Sequence, residues 1–280
     1  MAATRYRWVR VTKRDRCRVC GKPDFCTYAP EVGLALCMRV ESDRPSRNAL
    51  GGWLHRTGEP TAAPERRAAP AERPPQDFGR LWKGWFDATD IYHLDGFAMS
   101  LGVRTDSLRS VGCAWTGREW AFPMKDEAGR IIGIRLRDER GRKWAVRGSR
   151  NGLFVPDSAP RGVLWVVEGP TDAAAALTIG LDVIGRPSCS ACDEMVARYV
   201  RRQKSRRVVI ITDNDRPDSR GVVAGVRGAE KLRKALPATN CVYVPPTKDL
   251  REFVNRGGDR LLLESALKDL VWQHPTTAPS

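Results

Sequence analysis

The stretch R-V-V-I-I-T-D-N-D-R-P-D, residues 207–218, decides how this chain reads. Four β-branched residues in a row, Val208 to Ile211, suit a strand covered on both faces, the habit of a parallel sheet. That strand runs out onto Asp213 and Asp215. Side chains two apart on an extended backbone point the same way, so both carboxylates face one pocket while Asn214 faces away. Like charges that close raise each other's pKa, and a hard divalent cation removes the conflict. Magnesium is commonly held by one or two carboxylates together with water and substrate phosphate. Alone, the same residues also suit a polar turn leading into the next helix.

The surroundings favour the first reading. From residue 162 strand and helix alternate: V-L-W-V-V-E, P-T-D-A-A-A-A-L-T-I-G, L-D-V-I-G, S-A-C-D-E-M-V-A-R-Y-V-R-R-Q-K, then residues 207–213, V-A-G-V-R-G-A-E-K-L-R-K-A-L and N-C-V-Y-V-P. Such alternation implies right-handed crossovers and a parallel sheet. Ligands of open α/β sheets bind outside the carboxyl ends of the strands. Glu168 closes the first strand there, before Gly169 and a Pro170 suited to a first helical turn. Asp249 follows the fourth strand, in P-P-T-K-D-L-R-E-F-V.

E-G-x-x-D after one strand, D-x-D two strands on and a K-D segment after the next together resemble the TOPRIM domain. The preceding A-F-P-M-K-D-E-A-G-R-I-I-G-I-R-L-R-D-E-R-G-R-K-W-A-V-R-G-S-R-N-G-L-F is similar to the segment just upstream of TOPRIM in bacterial replicative primases and their phage and plasmid relatives. The likeness spans about residues 98–256. It implies that Glu168 serves as acid/base or metal ligand, that Asp213 and Asp215 hold magnesium or manganese, and that Asp249 adds a further ligand. A second ion, if bound, would lie about 3.5–4 Å from the first. Position 251 departs from the pattern: Arg251 stands where cellular primases often carry a second aspartate, with Glu252 next.

Four of the eight cysteines fall within residues 17–37. Cys17 and Cys20 form a C-x-x-C knuckle followed by Gly21, a frequent zinc half-site. Cys26 and Cys37 are not a second C-x-x-C. A hairpin turning at Glu31-Val32-Gly33 has its midpoint between residues 31 and 32, which sets position 26 opposite 37 and completes a Cys₄ zinc set. The alternative leaves Cys37 as a small buried hydrophobe with the fourth ligand elsewhere. His55, the only nearby histidine, is expected to be no ligand. Cys189 and Cys192 make another C-x-x-C, read as structural because no second ligand pair lies nearby. Primases resembling this chain carry a tethered zinc ribbon that reads the template start site.

The formal charge of +15 points to a polyanionic partner. No apolar run of about 18 residues offers a membrane span, and the N-terminus lacks the apolar core of a secretory signal, so a cytoplasmic location is expected. Arg5, Arg7 and Arg10 surround Trp8, a mixture suited to single strands through phosphate contact and base stacking. Arg135, Arg137, Lys143 and Arg147 lie on the strands before TOPRIM, and by the resemblance they guide template and incoming nucleotide, with Lys248 beside them. The basic run A-R-Y-V-R-R-Q-K-S-R-R is equally well a solvated helix face.

The expected fold is α/β: a parallel-sheet TOPRIM domain preceded by a small α+β subdomain, plus an N-terminal β zinc ribbon. The expected map is a zinc-ribbon module at 1–55, a Pro/Ala-rich linker at 56–77, an α+β subdomain at 78–161, the TOPRIM domain at 162–270 and a tail at 271–280. The expected activity is primer synthesis on single-stranded DNA from nucleoside triphosphates. A TOPRIM nuclease and a non-catalytic single-strand-binding adaptor are the alternatives, and a type I topoisomerase would need a further tyrosine-bearing domain. No G-x-x-x-x-G-K-[ST] loop is present, so unwinding must come from a helicase or other replication protein in trans.

Overall fold

The computed structural model describes residues 7–46, 51–58, 76–158, 162–205, 207–217 and 221–274. Most of the expected linker, at 59–75, and the last six residues of the tail lie outside them. The chain divides into two compact units, Met1–Arg73 and Pro74–Ser280.

The first unit is a four-stranded antiparallel sheet in sequential order: β1 (Val9–Arg10), β2 (Thr27–Ala29), β3 (Leu34–Cys37) and β4 (Trp53–Arg56). A single 3₁₀ turn at Pro30–Val32, ended by Gly33 in the left-handed region, joins β2 to β3. Among the described residues its buried apolar cluster is Val11 with Cys17, Cys26 and Cys37, against which Val19, Cys20, Tyr28 and Met38 pack partly buried. So small a core supplies little hydrophobic stabilisation, and modules of this size usually depend on a metal or disulfides.

The second unit opens with three helices, α1 (Phe78–Asp87), α2 (Ile91–Leu101) and α3 (Thr105–Ser110). Asp77 and Asp90 cap the first two by accepting backbone bonds from Arg80 and His93. An antiparallel sheet follows: β5 (Ala114–Trp115), β6 (Trp120–Lys125), β7 (Ile131–Arg137) and β8 (Lys143–Ala145). Its last two hairpin turns share one chemistry. Asp126 and Asp138 each accept the backbone N–H of the arginine four residues on, Arg130 and Arg142, and pair with its guanidinium.

The parallel sheet comprises β9 (Leu164–Glu168), β10 (Asp182–Arg186), β11 (Arg207–Ile211) and β12 (Thr239–Tyr243), in the order β10-β9-β11-β12. The direction of winding reverses between β9 and β11, which opens a crevice at their carboxyl ends. Helices α4 (Pro170–Thr178), α5 (Asp193–Arg202), α6 (Ala224–Ala235), α7 (Leu250–Asn255) and α8 (Arg260–Ala266) complete the unit. Val209 and Ile211 join Trp165 and Val167 in one core with α2, α3, α4 and α7. Val208 and Ile210 join Leu164 and Val166 in another with α5 and α6. The sheet is thus covered on both faces, as the β-branched run implies.

One residue pair on each side stitches the two sheets together. Leu153 exchanges backbone bonds with Lys125 of β6 (2.7 and 2.8 Å), and Phe154 does so with Gly185 of β10 (2.8 and 2.9 Å). The antiparallel sheet is thereby fixed relative to the crevice. Among the described residues no helix is long and apolar enough to cross a membrane.

Helix α6 lies against the loops that carry the crevice. A Cβ added at Gly225 would meet Thr212 Oγ1 at 2.3 Å, and one at Gly228 would meet the Cys189 carbonyl at 2.1 Å. Gly228→Ala is therefore expected to cost about 1–3 kcal/mol through overpacking. Gly96→Ala, on an open face of α2 with nothing within 4 Å, should instead stabilise by about 0.5–1 kcal/mol. Denaturant midpoints of the two variants check both signs.

Candidate active site

Five carboxylates gather at the carboxyl edge of the parallel sheet. Glu168 is the last residue of β9, and Asp213 and Asp215 stand just past β11. Asp172 lies in the first turn of α4 and is buried. Asp249 is the N-cap of α7, where it accepts the Glu252 backbone N–H at 2.8 Å. Asn214 fixes the D-x-D segment to the loop after β12: its backbone N–H donates to the Lys248 carbonyl (2.7 Å) and its side-chain amide to the Pro245 carbonyl (3.1 Å). That clamp brings Asp213 and Asp249 to one side of the crevice.

The electrostatics show how crowded the edge is. Burial, and after it Glu168, Asp172, Asp249 and Asp215, together push the Asp213 carboxyl up to about 8. Asp172 is pushed up to about 7 by burial and then by Asp249, against the Arg251 backbone N–H, which donates to its Oδ1 at 3.1 Å. Burial raises Glu168 and Arg186 opposes the rise. Negative charge concentrated in this way, on hard oxygen donors, fits a divalent cation. Among the described residues the one group of three or more ligand atoms gathered closely enough to hold an ion is the cysteine quartet. The carboxylates ring a basin instead.

A cationic wall faces this basin. Arg137 on β7 pairs in register with Lys143 on β8, a juxtaposition that costs energy unless anions lie opposite. They do. Desolvation and Arg137 lower Lys143, and Asp172 and Asp213 act against them; Arg137 is lowered by burial and by Arg251, against Asp172. The Nε atoms of Arg135, Arg137 and Arg251 are buried without a hydrogen-bond partner. Arg147 is exposed beyond β8, and Lys248 is exposed beside Asp249. The basic run on α5 turns Arg198, Arg201 and Arg202 outward while Val196, Tyr199 and Val200 are buried, the arrangement of a solvated face.

In the first unit the register of β2 and β3 pairs Thr27 with Leu36, and Cys26 meets Cys37 one step further out. Their sulfurs are 4.0 Å apart, Cys20 Sγ is 3.7 Å from Cys26 Sγ, and all four ligand atoms lie within 4.8 Å of one another. The backbone N–H groups of Met38 and Val40 point at the sulfurs of Cys26 and Cys37, at 3.5 and 3.3 Å. Thiolates so oriented match a tetrahedral zinc site and its outer shell. His55 instead places Nε2 3.0 Å from the Val40 carbonyl. Trp8 and Phe25 line a groove of about 850 Å³ on this unit, with Arg10, Met38 and Leu54.

Sequence reasoning left two residues of the basin without a role. Asp172 was visible within E-G-x-x-D. Arg186 gave no signal beyond being a charge at the end of an apolar strand.

Asp213 carries a testable consequence. Its folded pKa lies above that of the unfolded chain, so the stability this contributes is complete at low pH and is lost as pH rises toward 8. Without added divalent cation, Tm should fall between pH 5 and pH 8, and Asp213→Asn should flatten the fall. Thermal melts across that range check it.

No protein-family model and no curated protein matches the sequence. Solved structures do. The catalytic domain of the DnaG primase bound to single-stranded DNA aligns with a TM-score of 0.54 at 15% identity, over 69% of this chain and 77% of that one. The primase fragment of the bacteriophage T7 primase-helicase protein gives 0.50 at 22% identity, over 60% and 72%. The zinc-binding and RNA polymerase domains of the Aquifex aeolicus primase give 0.54 at 16% identity, over 70% and 60%. At these identities the likeness is one of architecture, and the chain has the fold of the primase catalytic core.

Proposed function

We propose that this protein is a primase-type nucleotidyltransferase that builds short primers from nucleoside triphosphates on single-stranded DNA. The observation that carries the reading is the acidic basin at the ends of β9 and β11, faced by the unpartnered guanidinium donors of β7 and α7. A divalent cation, magnesium or manganese, held by Asp213 and Asp215 with Asp249 beside them, supplies charge neutralisation at the triphosphate. Arg137, Lys143 and Arg251 bind phosphate oxygens from the opposite wall, where planar guanidinium forks suit them. Arg135, Arg147 and Lys248 extend that surface toward the template. Glu168 accepts the proton of the attacking 3′-hydroxyl. Positioning and electrostatics then carry the transfer, with little further side-chain chemistry required.

The first unit serves as the template-contacting module, its zinc replacing the core that the short strands cannot build. Trp8 offers a ring for base stacking on its groove. The single-stranded DNA held by the DnaG catalytic domain supports the choice of template. The joining of primase to helicase in the T7 protein supports a helicase as the partner of this chain, and the proposed reaction belongs to the cytoplasm.

The decisive experiment is incorporation of labelled nucleotides on single-stranded DNA. Asp213→Asn and Glu168→Gln should each lower synthesis by at least about 100-fold. Unchanged synthesis in both would overturn the site assignment. Degradation of the DNA without synthesis would establish the nuclease instead, and retained binding with neither activity would establish the adaptor. In parallel, Cys26→Ser should lose about one equivalent of zinc per chain and the ordered signals of residues 7–46 and 51–58. The melting of residues 74–280 should be kept. Metal analysis and amide NMR read both.

A further inference from the structure

Arg186, the last residue of β10, has no solvent exposure at all. In the parallel register it sits beside Glu168, the last residue of β9. Its Nη2 is 3.7 Å from Glu168 Oε1 and its Nη1 is 3.5 Å from Asp193 Oδ1. Asp193 in turn holds the Lys231 ammonium at 2.9 Å, on the exposed side of α6. None of the three guanidinium nitrogens has a hydrogen-bond partner, and Glu168 Oε1 is likewise buried without one. The backbone locks the pair in place, because the Gly169 N–H donates to the Arg186 carbonyl at 2.8 Å.

Burying a guanidinium is costly, and an apolar side chain of similar volume usually packs such a site with equal or better stability. Stability is therefore a poor account of Arg186. Its geometry acts on Glu168. Glu168 Oε1 is buried and faces a fixed positive charge, and the Cys189 and Asp213 backbone N–H groups also favour the ionised carboxylate, so what the basin can use is the 12% of the side chain left accessible.

We propose that Arg186 is a positioning residue that keeps Glu168 from closing on the metal as a full ligand and reserves its second oxygen for the reacting hydroxyl, with the Asp193–Lys231 pair bracing the guanidinium from behind. The metal is then left to Asp213, Asp215 and Asp249. This inference rests on the proposed reaction for the task of Glu168, but its effect on metal binding is independent of turnover.

The test is Mn²⁺ affinity, read by electron paramagnetic resonance without nucleotide, alongside kcat and KM for primer synthesis. Arg186→Leu removes a nearby positive charge and frees Glu168, so Mn²⁺ should bind on the order of tenfold more tightly. Over the same change kcat should fall at least about tenfold, with KM for nucleotide nearly constant. Arg186→Lys, which keeps the charge, should recover part of both effects. In a Glu168→Gln background, Arg186→Leu should lower kcat no further. A purely structural arginine predicts weaker Mn²⁺ binding together with lost activity, and that result, or unchanged affinity, overturns the proposal. If the wild-type chain makes no primer, the proposed reaction fails and Mn²⁺ affinity alone decides the role of Arg186. Should the leucine variant not fold, Arg186→Gln takes its place in every arm.

Discussion

The second unit is organised around negative charge that cannot leave. A parallel sheet covered on both faces has only its strand ends open, and at the carboxyl edge Glu168, Asp172, Asp213, Asp215 and Asp249 converge. Burial first, and then repulsion from the neighbouring acids, pushes the Asp213 carboxyl up to about 8. Much of the surrounding architecture can be read as a response. The β7–β8 hairpin sets Arg137 opposite Lys143, unfavourable alone and favourable across from these acids. The Leu153–Phe154 segment, bonded to one sheet on each side, holds that hairpin at the basin. Helix α6 approaches closely enough that glycine is required at positions 225 and 228.

The first unit solves the opposite problem. It has too little apolar surface rather than too much charge, and the four thiols occupy what would be its core. A bound ion there contributes folding free energy directly. Under the proposed function metal would have a structural task in one unit and a chemical one in the other, and the ligand types divide accordingly: soft sulfur where a rigid closed shell is needed, hard oxygen where phosphate would share the ion.

How much of this was legible in the sequence followed the range of the interactions. The run Val208–Ile211 announced a strand buried on both sides because its pattern is local, and the two cores divide its residues alternately. The opposition of Cys26 and Cys37 was equally accessible, since hairpin register follows from the turn alone. Clustering of the acids could be anticipated from strand order and the rule for ligand sites in open sheets. The Glu168–Arg186 pair could not, because it exists only once β9 and β10 are aligned residue against residue. Asp172 was visible in the motif, but its perturbation was not: it comes from burial and then from Asp249, 77 positions away at the start of another helix.

Arg251 shows why such long-range pairs matter to the chemistry. Where primases resembling this chain often place another carboxylate, this one places a cation whose backbone N–H binds Asp172 and whose charge is felt by Arg137 and Lys143. An added acid would deepen the negative basin and call for more metal. An added guanidinium moves part of the neutralisation onto the protein, together with Arg137, Lys143 and the buried Arg186. Fixed cations cost nothing to reorganise as charge develops during phosphoryl transfer, whereas an ion must first be recruited from solution. In the proposed reaction the balance between protein cations and metal would therefore rest on Arg251 at the rim of the basin and Arg186 beneath its glutamate, together with Arg137 and Lys143.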